Sequence, residues 1–249
     1  MRIIISPAKK MNMDTDSLPY HQLPQFLPET MEIMQTMQKM SDSELQLLWK
    51  CNDAIAKLNI TRLRTMNLQQ NLTPAILAYE GIQYLHMAPG VFTYEELNYI
   101  EENLRILSGF YGLLRPFDGV VPYRLEMQAK LHVGAYRTLY AFWGEKLAGQ
   151  FASETDWILN LASKEYSKAV TAYLPETVRV LTCTFGEWKS GKVVEKGTLC
   201  KMARGQMVRW LAENQIADCE NIKAFTDYGY FFDAECSMAD HYVFIKGEK

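Results

Sequence analysis

The stretch "LSGFYGLLRPFDGVVPYRLEM" at residues 107–127 is unusual for a core segment, because turn formers alternate with polar side chains. It holds three glycines, two prolines, two tyrosines, two arginines, one aspartate and one glutamate. Glycine allows positive φ or a close backbone approach and proline fixes φ, so the stretch predicts a rigid corner in the fold. Two interpretations remain open: a tight corner held by an arginine–carboxylate pair, or the wall of a binding site.

Arg115 precedes Pro116 and Arg124 follows Pro122 by two residues, so both arginines lie on rigid backbone. If residues 123–127 are extended, Arg124 and Glu126 lie on one face, because side chains alternate along a strand. The two side chains would then either pair with each other or face a ligand together.

The composition is that of a globular protein, with 249 residues of which 48% are hydrophobic and 22% charged. This length predicts one domain over residues 1–249, in which residues 28–107 could form a helical subdomain. The net charge of −3 provides no global basic field, so binding to nucleic acid would need a local patch.

The five cysteines predict reduced thiols. Their number is odd, no two form a C-x-x-C pair, and no histidine lies at zinc-ligand spacing. Because no histidine–carboxylate triad or cysteine quartet indicates iron, we expect neither a metal nor a cofactor. The N-terminal apolar run is too short for a signal peptide, and no run approaches the ~20 residues of a membrane span. We therefore expect a cytoplasmic protein without membrane contact, and a monomer.

The hydrophobic pattern predicts an α/β or α+β fold in which helices surround a mixed sheet. "RIIIS" (2–6) and "DWILNLAS" (156–163) are typical of buried strands, and Ser163 could cap a short helix. Capping boxes at Ser41 with Glu44 and Thr93 with Glu96 begin two helices. The remaining predictions are a loop over 11–28, helices over 29–40, 93–107, 138–151 and 198–215, two strands over 176–197, and two strands around an aromatic loop near the C-terminus.

Two short motifs follow predicted strands. Ligands in α/β proteins gather beyond the carboxyl ends of strands, so Lys9 and Lys10 of "SPAKK" (6–10) suit a phosphate or a carboxylate. They could equally be a solvated pair beside a loop. "NLASKEY" (160–166) repeats the pattern, with Asn160, Tyr166 and the nearby Lys168 as its polar side chains.

The helix predicted over 198–215 is the clearest electrostatic feature. Residues 186–210 hold six basic and two acidic side chains. At 100° per residue Lys201, Arg204 and Arg209 share one face, with a Met/Trp/Leu stripe broadly opposite. The basic face is either simply solvated or a surface that binds phosphate.

No H-E-x-x-H, G-x-S-x-G, P-loop or G-x-G-x-x-G motif occurs, which argues against several enzyme classes without excluding an enzyme. Taken together, however, "ISPAKK", residues 107–127, "LYAFW" (139–143), "NLASKEY", "KMARG" (201–205) and "GYFFD" (229–233) resemble the YaaA-type peroxide stress proteins of bacteria. These motifs occur in the family's order and cover the chain to about residue 233.

The resemblance implies a single compact α/β domain and a cytoplasmic role in surviving hydrogen peroxide by keeping unincorporated iron low. It also implies DNA binding through a positively charged cleft and a helix-hairpin-helix-like element, for which the glycine turn at Gly81 is the expected place. Two departures matter: Met202 stands where the family has a lysine, and Ile82-Gln83 stands where the family tends to carry Asp-Val.

The leading hypothesis is a peroxide stress protein that binds DNA weakly and without sequence preference, and that limits iron-driven damage. Two alternatives remain open: an enzyme acting on a nucleotide or nucleobase in the same cleft, and a structural scaffold in which these motifs serve only the fold. Candidate residues for DNA or phosphate contact are Lys9, Lys10, Arg115, Arg124, Lys168, Lys201, Arg204 and Arg209; those for catalysis are Lys9, Arg124, Glu126, Asn160 and Lys168; those expected to line the cleft are Ser108, Gly109, Tyr111, Asp118, Tyr123, Ser163, Tyr166 and Tyr230.

Overall fold

The computed structural model describes residues 1–247. Its first half contains β1 (Arg2–Ile5), β2 (Lys10–Met11), α1 (Leu27–Gln38), α2 (Asp42–Trp49), α3 (Asp53–Arg64), β3 (Thr73–Pro74), α4 (Ala75–Ala78), β4 (Tyr79–Glu80), α5 (Ile82–Met87), α6 (Tyr94–Asn103), β5 (Leu104–Ser108), β6 (Gly112–Leu114) and β7 (Gly119–Val120). The second half contains α7 (Leu139–Glu154), β8 (Trp157–Asn160), α8 (Lys164–Thr171), β9 (Arg179–Lys189), β10 (Lys192–Val194), α9 (Gly197–Glu213), β11 (Tyr230–Met238) and β12 (His241–Lys246).

The main sheet has the strand order β11-β12-β9-β8-β1-β5-β6, and β10 pairs with β9. The five strands from β12 to β5 are parallel to one another, whereas β11 and β6 run antiparallel at the two ends. Helices surround this mixed sheet, so the predicted α/β class and the single compact domain are confirmed.

The central strand β1 shows why the sheet forms. Ile3, Ile4 and Ile5 are all fully buried, and β1 pairs with β5 on one side and β8 on the other. A parallel strand covered on both faces needs a continuous hydrophobic run, which "RIII" provides. The strand prediction for residues 2–6 is confirmed.

Both predicted capping boxes are present, with Ser41 paired to Glu44 and Thr93 paired to Glu96. The prediction that the helix from Thr93 runs to about Leu107 was wrong, because α6 ends at Asn103 and residues 104–108 form β5. All five residues of β5 are buried, and Leu104, Arg105 and Ile106 pair with β1, so tertiary pairing overrides the helical pattern at that point.

The stretch at residues 107–127 is the rigid corner that its glycines predict. Gly112, the first residue of β6, has a φ of 72° directly after the turn from β5. A Cβ on Gly109 would lie 2.8 Å from the Leu125 carbonyl oxygen, so the returning chain crosses directly over it. Residues 123–127 form no strand, however, and Glu126 pairs with Lys9 rather than with Arg124.

The C-terminal third follows the sequence pattern with one correction. β9 and β10 turn at Ser190-Gly191, and α9 covers nearly all of the predicted helix. The aromatic residues expected in a loop lie at the start of β11, and the turn between β11 and β12 falls at residues 239–240. Residues 248 and 249, the end of the predicted domain, lie outside the described residues. No helix in residues 1–247 is long and apolar enough to cross a membrane.

Candidate functional site

A cleft lies beyond the carboxyl ends of β1 and β8, where "SPAKK" and "NLASKEY" meet. The Ser6 hydroxyl oxygen accepts a 2.9 Å hydrogen bond from the Ser163 backbone N–H, and the two serine hydroxyls are 3.3 Å apart. Ser163 occupies the N-cap position of α8, but its side chain makes no capping hydrogen bond. Ser163 instead contacts Ser6 and so connects the two motifs.

The cleft has two connected parts. The inner pocket, about 410 Å³, is lined by residues 6–10, residues 80–84, Glu126, Ser163, Glu165, Tyr166, Lys201 and Arg204. The outer groove, about 850 Å³, shares Ser163, Lys201 and Arg204 with it and extends between α8, α9 and the β9–β10 hairpin. The side chains that the outer groove adds include Asn160, Lys164, Trp188, Lys192, Glu195 and Cys200.

Two carboxylates and a lysine form the polar centre of the inner pocket. The Lys9 Nζ atom lies 2.8 Å from the Glu126 carboxylate. The Glu165 carboxylate accepts a 3.3 Å hydrogen bond from the Gln128 backbone N–H. Burial raises the pKa of Glu165, and the nearby Glu126 charge raises it further. At the rim, Lys10 pairs with Glu80.

The cleft also contains buried donors without partners. The Gln83 Nε2 and Arg204 Nε atoms are buried and make no hydrogen bond to any described residue. Within residues 1–247 the one carboxylate that Arg204 reaches is Glu195, 3.6 Å from its Nη2 atom. An unsatisfied buried donor costs about 1–3 kcal/mol, so two of them lining one cleft require an explanation. A ligand that accepts hydrogen bonds there would supply it.

Close packing of α9 on α5 sets the positions of these donors. A Cβ on Gly205 would lie 2.1 Å from the Gln83 carbonyl oxygen and 3.1 Å from the Met87 nitrogen. Only glycine permits this approach, which brings Arg204 to the same pocket as Gln83.

A buried tyrosine cluster supports the cleft from behind. Tyr123 donates or accepts hydrogen bonds with Ser108 at 2.6 Å and Tyr79 at 2.8 Å, and Tyr84 donates to the Ser6 carbonyl oxygen at 3.0 Å. Burial raises the pKa of Tyr123 to about 12, so the cluster is neutral. We expected Ser108, Gly109, Tyr111 and Tyr123 to line the cleft. This prediction was wrong, because all four residues are buried behind the cleft wall.

Arg115 and Asp118 lie away from the cleft. β6 runs antiparallel to β5, so the chain has returned toward the opposite edge of the sheet by residue 115. There Arg115 lies 3.9 Å from Glu154, and the Asp118 carboxylate accepts hydrogen bonds from the Arg115 backbone N–H and from Gln22. Burial raises the pKa of Asp118 to about 6.

Four other candidates also lie outside the cleft lining. Lys168 lies over the Tyr140 ring at 4.3 Å, and Tyr230 is buried among aromatic residues. Arg209 pairs with Glu213 at 2.7 Å. It shares a helical face with Lys201 but lies about 12 Å further along the axis, beyond the end of the groove. The Arg124 Nε atom is buried without a partner in residues 1–247, although Arg124 lines neither part of the cleft.

Of the predicted site residues, the structure brings together Lys9, Lys10, Glu126, Asn160, Ser163, Tyr166, Lys201 and Arg204. Asn160 serves the backbone as well, since its oxygen accepts from the Ala162 N–H at 3.0 Å. Sequence reasoning missed Gln83, Lys164 and Trp188 as site residues. The expected departure from the family pattern at Ile82-Gln83 was the one sequence signal near Gln83.

The fold and cleft define a mixed α/β protein with a polar site at the carboxyl edge of its parallel strands. The family described as "Peroxide stress protein YaaA" matches residues 1–236. "UPF0246 protein" of Lachnoclostridium phytofermentans is 50% identical over 100% of this chain and 97% of its own length. The Pediococcus pentosaceus protein of that name is 51% identical over 100% and 99%, and that of Limosilactobacillus reuteri 50% over 98% of each. The chain belongs to this peroxide stress family.

The pKa values of the cysteine thiols indicate how readily hydrogen peroxide would oxidise them. Burial raises the pKa of Cys200 and of Cys219 to about 11 each, and it raises the pKa of Cys183 and Cys236 as well. The Cys200 thiol donates to the Phe185 carbonyl oxygen at 3.1 Å. The thiolate is the reactive form, so these four groups are poorly suited to sensing peroxide.

We therefore predict that Cys200 and Cys219 react with hydrogen peroxide at least ~10-fold more slowly than free cysteine at pH 7.5, since a pKa near 11 leaves far less thiolate. Mass spectrometry of trapped sulfenic acids, with Cys51 replaced by serine and free cysteine as the reference, measures these rates. Preferential oxidation of either thiol would contradict the prediction.

Proposed function

We propose that this protein acts in the peroxide stress response by binding DNA through the outer groove. One observation carries the proposal: three exposed lysines from three separate elements surround the same groove. Lys164 begins α8, Lys192 begins β10, and Lys201 lies on α9. Among the residues described, none of the three forms an ion pair with a carboxylate, so their charges remain available for phosphate.

The surroundings of these lysines suit a nucleic-acid strand. Trp188 lines the same groove with 54% of its surface exposed, so its ring can contact a base or a sugar. The chain as a whole is acidic, and distant carboxylates therefore oppose binding. We expect weak binding without sequence preference, because phosphate contacts carry no sequence information. Protein bound to DNA would reduce iron-driven damage at the place where radicals do most harm.

A salt titration of duplex DNA binding tests this proposal. We expect a log–log slope of roughly −3 for wild type, and each lysine replaced by alanine should reduce its magnitude by about 0.9. The variant Lys164→Ala/Lys192→Ala/Lys201→Ala should therefore lose most of the slope. Fluorescence anisotropy at several salt concentrations measures it.

The matched control is Lys39→Ala/Lys57→Ala/Lys130→Ala, which removes the same charge from exposed lysines outside the cleft. This variant should keep nearly the full slope. Equal slopes for wild type and the cleft variant would overturn the proposal. The lysines would then be solvated charges only, and an enzyme acting on a nucleotide would become the better hypothesis.

A further inference from the structure

The inner pocket holds polar groups that DNA binding through the outer groove does not use. Gln83 is 7% exposed, and its Nε2 donor has no partner in the described chain. Two carboxylates, Glu126 and Glu165, lie near Lys9 in the same pocket. A structural role does not explain Gln83, because replacing a buried unpaired donor with an apolar group would be more stable.

These groups define the chemistry of a ligand. Gln83 needs an acceptor atom, because its amide nitrogen only donates hydrogen bonds. Glu126 can accept further donors: its Oε1 atom meets Lys9, and its Oε2 atom accepts one long hydrogen bond of 3.4 Å from the Gln128 side chain. Arg204 and Lys201, where the pocket opens into the outer groove, suit an anion. The ligand thus combines a donor edge, a neighbouring acceptor and a negative charge.

We propose that the inner pocket binds a guanine mononucleotide. The guanine N1–H and N2–H groups would donate to the Glu126 carboxylate, O6 would accept from Gln83, and the phosphate would meet Arg204 and Lys201. Guanine is the common base that places two donors beside an acceptor on one edge, which the Glu126 carboxylate and the Gln83 amide nitrogen can match. This site shares Lys201 with the proposed DNA surface, but its base-recognition groups Gln83 and Glu126 lie only in the inner pocket, and the proposal does not depend on DNA binding.

The size and charge of the pocket agree with this ligand. Its volume of about 410 Å³ lies in the usual range for small-ligand sites. Four cations and three carboxylates line it, so a phosphate is not repelled overall. Tyr166 lines the pocket with 7% exposure and offers an apolar ring surface beside the carboxylates.

Calorimetry with three nucleotides and inorganic phosphate tests the proposal. Guanosine monophosphate should bind wild type about tenfold more tightly than inosine monophosphate, which lacks the N2 donors, and adenosine monophosphate should bind more weakly still. Glu126→Gln should remove most of the preference for guanosine over inosine monophosphate, since its amide replaces one acceptor oxygen with a donor. Equal affinity for the three nucleotides and inorganic phosphate would overturn the proposal, as would no binding at millimolar concentration.

Two glutamine variants separate binding from folding. Gln83→Leu should weaken guanosine monophosphate binding about tenfold while the melting temperature stays the same or rises, because the unpaired donor is gone. Gln206→Leu is the matched control: its Nε2 atom donates to Asp227 at 2.7 Å outside the pocket lining. This control should lower the melting temperature and leave nucleotide binding unchanged. The reverse pattern would overturn the proposal.

A further variant distinguishes this site from the DNA surface. Lys164→Ala/Lys192→Ala changes only residues of the outer groove. It should weaken duplex binding and leave guanosine monophosphate affinity within about twofold of wild type. Loss of nucleotide binding in this variant would place the nucleotide in the outer groove and contradict the inner site.

Discussion

Replacing Gly205 with alanine is expected to lower the melting temperature by about 6–12 °C, which corresponds to roughly 3 kcal/mol for a protein of this size. The added Cβ would lie 2.1 Å from the Gln83 carbonyl oxygen, and this atom belongs to backbone that cannot rotate away. α9 would have to move off α5. The gain of about 1 kcal/mol in helix propensity from glycine to alanine does not offset that displacement.

Gly149→Ala is the matched control for this prediction. Gly149 is exposed in α7, and a Cβ there meets no atom within 4 Å. The same chemical change should therefore stabilise the protein by about 0.5–1 kcal/mol. Circular dichroism melting curves of both variants and of wild type give the melting temperatures to be compared. A Gly205→Ala protein as stable as wild type would mean that α5 and α9 do not approach as closely as described.

The same helix contact shows which parts of the site the sequence could predict. The motifs after β1 and β8 and the stretch at residues 107–127 were expected to line one cleft, because each places cations or carboxylates at a turn or a strand end. Lys9, Ser163 and Lys201 do line one cleft. Gln83 could not be predicted as a site residue. What marks it is that its side-chain amide nitrogen has no partner in residues 1–247, and only the packed structure shows this.

The wrong helix end at residue 107 and the wrong placement of Arg115 and Asp118 in the cleft have one cause. The sequence gives no sign that the chain passes from α6 directly into β5, since Leu104 and Ile106 suit either element. Once β5 is recognised, the hairpin at Gly112 reverses the chain and carries Arg115 away from the cleft. A motif that is continuous in sequence therefore divides between the wall of the cleft and the opposite side of the sheet.

The tyrosines of that motif were misplaced for a related reason. Their polar groups suggested ligand contact, yet Tyr79, Tyr123 and Ser108 satisfy one another by hydrogen bonds inside the core. A hydroxyl that has partners can be buried at little cost, so a polar aromatic residue beside a glycine turn is compatible with either location. The core and the cleft wall differ in how deeply they bury the side chain, and this burial depends on the tertiary fold.

The opposite side of the sheet contains a buried ion cluster centred on Glu154. Its carboxylate accepts from Arg105 at 2.7 Å and from Arg2 at 3.0 Å, and Gln150 donates to it at 2.6 Å. The Arg105 side chain is only 4% exposed and also donates to three backbone carbonyls. Burial alone would raise the pKa of Glu154, but the Gln150 hydrogen bond and the Arg105 charge outweigh it, and the pKa is lowered.

We expect Glu154→Ala to destabilise the protein by about 3–5 kcal/mol, because removing one partner leaves the buried Arg105 charge uncompensated. Arg115→Ala is the control at the same carboxylate: this arginine is 43% exposed and 3.9 Å away, and its loss should cost no more than about 1 kcal/mol.

The variant Glu154→Gln tests the same ion cluster through the pH dependence of stability. A carboxyl whose pKa is lowered by folding contributes stability above its unfolded pKa, near 4.3, and loses it as the pH falls below that value. The difference in unfolding free energy between wild type and Glu154→Gln, measured by urea denaturation, should therefore be largest near pH 7 and narrow toward pH 3.5. A difference independent of pH would show that the charge of Glu154 does not hold Arg105 in the sheet.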